Sequence, residues 1–186
     1  IEAIRDIGNM KLLGDMLPSK VGSLLSINAM REDLEVSFRA VSHWMDILET
    51  FYYHFRIYPF SGKKIRSLKK EPKLYLWDWS EVEDEAARFE NLIASHLLKY
   101  VHFLVDYEGH KAELNYLRDV DKREVDFLVT IGGKPWFAVE VKLNDATVSP
   151  HIPYFKERLS IPFVYQVVKK NGVDKIEKGA RIISAG

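Results

Sequence analysis

The sequence predicts an α/β fold, α+β over the whole chain: an N-terminal winged helix followed by a domain with a central mixed β-sheet flanked by helices. Three observations predict it. Apolar residues recur at helical spacing through residues 1–51, short apolar strands bounded by turn residues follow, and a long helical stripe then interrupts a series of strands. The 186 residues suffice for one ordinary domain or two small ones, and the polar stretch around Pro72 divides the chain into 1–70 and 71–186.

In the first part Ile4, Ile7, Met10, Leu13 and Leu17 mark a helix. Pro18 suits the first turn of a second helix carrying Val21, Leu24 and Leu25. Ser26 is placed to cap a short helix through Leu34. Ser37 is placed to cap a longer one with the stripe Val41, Trp44, Met45, Leu48 and Phe51 or Tyr52. Short helix, tight turn, longer helix is the spacing of a helix-turn-helix. A strand over Tyr52–Phe60, a turn at Ser61-Gly62 and a returning strand over Lys64–Leu68 would supply the wing.

Between Arg56 and Lys73 stand Arg56, Lys63, Lys64, Arg66, Lys69, Lys70 and Lys73 against a single acid, Glu71. Clustered cations on a hairpin fit phosphate contacts; the plain alternative is a solvated basic face. The nucleic-acid contacts expected are Arg39, His43, Lys63, Lys64, Arg66, Lys69 and Lys70. Asp46 and Glu49 beside Arg39 and His43 make the longer helix a poor reader of base edges.

In the second part Leu74–Trp77 reads as a buried strand ended by Asp78, and Ser80–Ala87 as an acidic loop or helix start. A helix begins at Arg88 with Phe89, Leu92, Ile93, His96, Leu97 and Tyr100 on one face. His96 is expected as a core histidine and Glu90 at the rim. Further strands are expected at Leu114–Arg118, Ile161–Val168 and Gly179–Ile183. A helix is expected around Tyr154–Arg158 and a charged turn region over Lys169–Lys178.

The chemistry gathers between Arg123 and Leu143, two apolar strands joined by Gly132-Gly133, the pattern of a β-hairpin. Asp126 lies on the first strand, and Glu140 and Lys142 on the second. Side chains alternate along a strand, so Glu140 and Lys142 share one side while Phe137, Val139 and Val141 turn to a core. Two acids and a lysine on neighbouring strands are placed where charge is avoided unless something uses it. That points to a metal-and-lysine site. Gly132-Gly133-Lys134-Pro135 closes the hairpin and lacks the following helix that would cradle phosphate.

Composition narrows the setting. Hydrophobic content of 47% with 29% charged residues is that of a soluble globular protein. A formal net charge of zero leaves any nucleic-acid signal local. The absence of cysteine excludes disulfides and thiolate metal sites and favours the cytoplasm. No stretch approaches the roughly 20 apolar residues of a membrane span. The opening on Ile1, directly into helical sequence, reads as a fragment of something longer.

Glu90, Asp126, Glu140 and Lys142, in the order helix, strand, strand, strand, resemble the motif of the PD-(D/E)XK nuclease superfamily, the restriction-endonuclease-like fold. Val125 stands where that motif has proline. The whole chain is similar to the C-terminal region of predicted prokaryotic AAA+ superfamily ATPases, in which a P-loop ATPase precedes a winged helix and a nuclease-like domain. The stretches that carry this are Leu17-Pro18-Ser19-Lys20, Asp33-Leu34-Glu35-Val36-Ser37, Leu74-Tyr75-Leu76-Trp77-Asp78, Arg88-Phe89-Glu90-Asn91, Arg123-Glu124-Val125-Asp126-Phe127, Ala138-Val139-Glu140-Val141-Lys142 and Tyr165-Gln166-Val167.

The resemblance implies Mg²⁺ or Mn²⁺ held by Asp126, Glu140 and the Val141 backbone carbonyl, with Glu90 at a second metal or a metal-bound water. It implies Lys142 at the attacking water, nucleic acid, DNA first, as substrate, and the N-terminal ATPase domain of the same protein as partner. ATP would bind only there, since no P-loop occurs in this sequence. No membrane partner is implied, and oligomeric state is open. Two other readings stand beside the nuclease: a catalytically inactive nucleic-acid- or protein-binding module regulating the ATPase, and, last, a small-molecule enzyme using Glu140 and Lys142 as acid and base.

Overall fold

The computed structural model describes residues 2–61, 71–144 and 147–185, with side chains from residue 7 onward. The chain forms two compact units, residues 1–56 with 71–91 and residues 57–70 with 92–186. Residues 71–91 cluster with the N-terminal helices.

In the N-terminal unit α1 spans Glu2–Met16 and runs into a single 3₁₀ turn, Leu17–Lys20, with Pro18 in its first turn. The second helix expected to carry Val21, Leu24 and Leu25 does not form. Val21 and Leu24 instead bridge Leu74 and Lys73, and the Gly22 N–H donates to the Leu74 carbonyl at 3.0 Å. A strand edge satisfied the backbone there, and a helix of so few residues cannot nucleate alone. The two caps form as expected. Ser26 Oγ accepts the Ala29 N–H ahead of α2, Ile27–Asp33, and Ser37 Oγ accepts the Ala40 N–H ahead of α3, Phe38–Thr50.

Val41, Trp44 and Met45 are the buried stripe of α3. Phe51 and Tyr52 fall past the end of α3 and are exposed, Tyr52 with φ of 57°. β1, His54–Pro59, follows, with β2, Lys73–Leu76, as its neighbour in the sheet order. The expected returning strand Lys64–Leu68, and with it Lys63, Lys64, Arg66, Lys69 and Lys70, lies outside the described residues.

The long helix α4, Glu85–Asp106, starts earlier than Arg88 and spans the boundary between the units. His96 is not in a core: it is exposed, its Nδ1 3.1 Å from the Leu92 carbonyl.

The C-terminal unit carries β3 (Ala112–Arg118), β4 (Glu124–Ile131), β5 (Lys134–Lys142), β6 (Phe163–Val168), β7 (Asp174–Glu177) and β8 (Ala180–Ser184). With the end of β1 they run in the order β1-β3-β4-β5-β6-β8-β7. The pairs β1/β3, β5/β6 and β6/β8 are parallel, and β3/β4, β4/β5 and β7/β8 antiparallel, so the sheet is mixed. Gly132 and Gly133, at φ 58° and 72°, close β4 onto β5. The charged turn region expected over Lys169–Lys178 contains β7.

Both faces of this sheet are covered. On one, Leu128, Ala138 and Val164 pack with Ile152 and Phe155 of α5, His151–Leu159, the crossover between β5 and β6. On the other, Val101 and Leu104 of α4 pack with Ala112 and Val129, joined by Trp136 and Phe137. The side of β5 bearing Ala138 and Glu140 is thus a second core face, which alternation alone did not disclose. No helix among the described residues is long and apolar enough to cross a membrane.

Candidate functional site

β4 and β5 are held in register by Phe127 opposite Val139 and Leu128 opposite Ala138. That register brings Asp126 beside the end of β5. Its Oδ2 accepts the Val141 N–H at 2.8 Å, which fixes the carboxylate against the neighbouring strand. Glu140 is only 4% exposed. Its Oε1 pairs with Lys142 Nζ at 2.8 Å, and Lys142 itself remains 46% exposed.

Glu140 Oε2 is buried and makes no hydrogen bond of ordinary geometry. Burial, then the Asp126 charge, raises the Glu140 carboxyl above its usual range, while Lys142 and Ser149 pull it back in part. Ser149 reaches this place through Gln166. Gln166 is fully buried, sits opposite Glu140 in the β5/β6 register, and takes the Ser149 N–H on Oε1 at 3.1 Å. Neither Ser149 nor Gln166 stood out as a site residue in the sequence. The one available signal was a glutamine inside the apolar run Ile161–Val168, because a buried amide must find partners.

Asp126, Glu140 and Lys142 are therefore together in the C-terminal unit. Two carboxylates, one with a bare buried oxygen, suit a hard cation bound through oxygen, and Mg²⁺ is commonly held by one or two carboxylates with waters. Among the described residues no group of three or more His, Asp and Glu side chains is arranged to hold a metal ion.

Glu90 belongs to the N-terminal unit. Its Oε1 accepts the Tyr75 hydroxyl at 2.7 Å and lies 3.4 Å from Lys73 Nζ. The next residue, Asn91, is fully buried and bonds both the N–H and the carbonyl of Leu76 at 2.8 Å. Arg88 donates to the Val82 carbonyl at 3.2 Å. Glu90 and Asn91 thus clasp the start of α4 onto β2.

The basic cluster is also partly spent inside this unit. Lys73 is 3% exposed beside Glu90, and Arg56 pairs with Glu49 and with Asp46 at 2.9 Å. Arg39 and His43 are exposed on α3. Arg123 is held by Asp119 at 2.7 Å and by Asp121, with its guanidinium 3.9 Å over the Tyr154 ring.

Residues 86–185, more than half of the chain, match the family described as Domain of unknown function (DUF4143). The chain belongs to the DUF4143 family. The DUF4143 domain is found in the C-terminal region of AAA-ATPase-like proteins. The match begins just inside α4 and runs through β8, so it contains Asp126, Glu140 and Lys142. Residues 1–82, ahead of the DUF4143 match, are similar to a second family, Domain of unknown function (DUF8612). Neither description names a nuclease. No curated protein and no solved structure matches the chain.

Proposed function

We propose that the DUF4143 part of this chain is a metal-dependent phosphodiesterase of the PD-(D/E)XK type, acting on nucleic acid and carried behind an AAA-type ATPase in the cytoplasm. The observation that carries this reading is Glu140 Oε2, a buried carboxylate oxygen with no hydrogen bond of ordinary geometry, beside Asp126 and Lys142. Asp126, Glu140 and the Val141 carbonyl would hold Mg²⁺ or Mn²⁺. A bound ion would polarise a phosphodiester and lower the pKa of its water. The Val141 amide keeps the Asp126 carboxylate from rotating. Lys142, half exposed and tethered by Glu140, offsets phosphate charge and orients the attacking water.

Incubating the chain with single-stranded, duplex and branched DNA in Mg²⁺ or Mn²⁺ tests the reading, with Asp126→Ala beside it. Metal-dependent cleavage lost in the variant is expected. No cleavage of any substrate, or cleavage that survives Asp126→Ala, overturns it.

A second reading has its own support. Lys142 already closes on Glu140 at 2.8 Å, and Glu90 is engaged by Tyr75 and Lys73, as in a site kept for structure alone. The α2–α3 pair with exposed Arg39 and His43 would then make the chain a nucleic-acid-binding winged-helix module that regulates the ATPase. Metal-independent, salt-sensitive DNA binding lost on Arg39→Glu, with no cleavage, would favour it; wild-type affinity in Arg39→Glu would remove it.

A further inference from the structure

The rim of the Asp126–Glu140–Lys142 site carries two side chains with no role so far. β5 and β6 run parallel with Lys142 opposite Val168, so their carboxyl ends finish side by side. Just beyond, the Lys169 N–H donates to the Lys142 carbonyl at 3.2 Å, which seats Lys169 and Lys170 next to Lys142. β8 ends at the same edge, with Ser184 opposite Val168. Ser184 Oγ donates to the Lys170 carbonyl at 2.8 Å, and the Ala185 N–H to the Val168 carbonyl at 3.0 Å. The two lysines therefore sit on a turn braced from both neighbouring strands.

Charge at this edge is sorted by depth. The acids are inside, Glu140 buried and Asp126 partly so, while Lys142, Lys169 and Lys170 are exposed. Carboxyl ends of parallel strands are where open α/β sheets take ligands. A plain solvated turn would need no such brace. A polyanion fits the outer layer, with its phosphates over the lysines, while the carboxylates beneath would face a phosphate only through the ion proposed for them.

We infer that Lys169 and Lys170, with Lys142, form a track for the backbone phosphates of a nucleic-acid strand lying across the carboxyl ends of β5 and β6. The track rests on the phosphodiesterase reading of the adjacent carboxylates and adds the residues that seat the substrate. It contacts phosphate rather than base edges, so it contributes affinity and salt sensitivity without sequence preference.

The test is the anisotropy of a labelled mixed-sequence duplex DNA titrated with the chain in EDTA over a salt series, folding being checked by circular dichroism. Lys169→Ala/Lys170→Ala is expected to weaken binding several-fold and to flatten the slope of log affinity against log salt by about 0.9 for each phosphate contact removed. Lys175→Ala/Lys178→Ala, on the strand β7 and its turn, controls for loss of surface charge and is expected to bind like wild type. Equal loss in both variants, no loss in either, or no binding by the wild-type chain overturns the track. Cleavage separates the two claims. Lysine-dependent binding without any cleavage removes the phosphodiesterase reading and leaves the track. Asp126-dependent cleavage with unchanged binding in Lys169→Ala/Lys170→Ala does the reverse.

Discussion

Asp126 Oδ2 accepts the Val141 N–H at 2.8 Å, so a carboxylate on one strand takes a backbone donor of the next. Removing it leaves that amide without its acceptor. Asp126→Ala is expected to lower stability by about 1–3 kcal/mol, and Asp126→Asn, which keeps an acceptor oxygen, by less. Urea unfolding midpoints in the order wild type, Asn, Ala check this; an Ala variant as stable as wild type would assign the bond no structural weight.

Lys73 and Glu90 form an unequal pair. Lys73 is 3% exposed, whereas the Glu90 side chain is 20% exposed and also takes the Tyr75 hydroxyl. Glu90→Gln takes the carboxylate away from a buried ammonium and is expected to cost about 3–5 kcal/mol. Lys73→Met leaves the better solvated Glu90 with its Tyr75 bond and should cost less. The same unfolding measurement on both variants gives the order, and a costlier Lys73→Met would refute it.

Gly22 and Gly109 share a left-handed backbone, φ 72° and 71°, but differ in surroundings. A Cβ on Gly22 would stand 3.2 Å from Glu90 Oε1, while one on Gly109 meets nothing within 4 Å. Gly109→Ala should cost about 1–2 kcal/mol from backbone strain alone. Gly22→Ala should exceed it, because the carboxylate must yield its bonds to Tyr75 and Lys73. Equal midpoints for the two variants would mean that Glu90 moves aside freely.

His54 predicts an acid sensitivity. It is fully buried, donates from Nε2 to the Met45 carbonyl at 3.0 Å, and its Nδ1 has no hydrogen-bond partner. Burial lowers its pKa below 6.5, with Arg56 acting in the same direction and Glu49, Asp46 and the Met45 bond opposing. The unfolded chain therefore takes up this proton first as pH falls. The stability contributed is complete above about 6.5 and is lost below it, with a slope no steeper than about 1.4 kcal/mol per pH unit for one proton. Thermal midpoints between pH 8 and 5 should show the decline, and His54→Gln should flatten it.

Where local rules were strong the sequence and the structure agree. Ser26 and Ser37 cap the helices they precede, and Gly132-Gly133 closes the hairpin, because caps and two-residue turns are decided by a few adjacent residues. Val21–Leu25 went the other way. Its helical spacing lost to a β2 edge some 50 residues distant in sequence, roughly the kind of nonlocal pairing that overrides weak propensity. Lys73 and Arg56 read as surface cations, since nothing in the sequence places Glu90 beside one and Glu49 beside the other.

The hairpin that carries Asp126, Glu140 and Lys142 was determined by the sequence itself, through strands of period two and a glycine turn. Its register was not: the turn alone would set Asp126 opposite Val139, and a shift between Val129 and Thr130 moves it one residue on, to the face of Glu140. Tertiary structure alone decided how those charges live. The α5 crossover buries Glu140 under a second core face and leaves its Oε2 bare, and β6 brings Gln166 and Ser149 to it. It also gave Glu90 to Tyr75 and Lys73. The physical reason is common to these cases: alternation along a strand says which side a residue takes, but solvation, and with it charge and proton affinity, depends on what packs there from elsewhere in the chain.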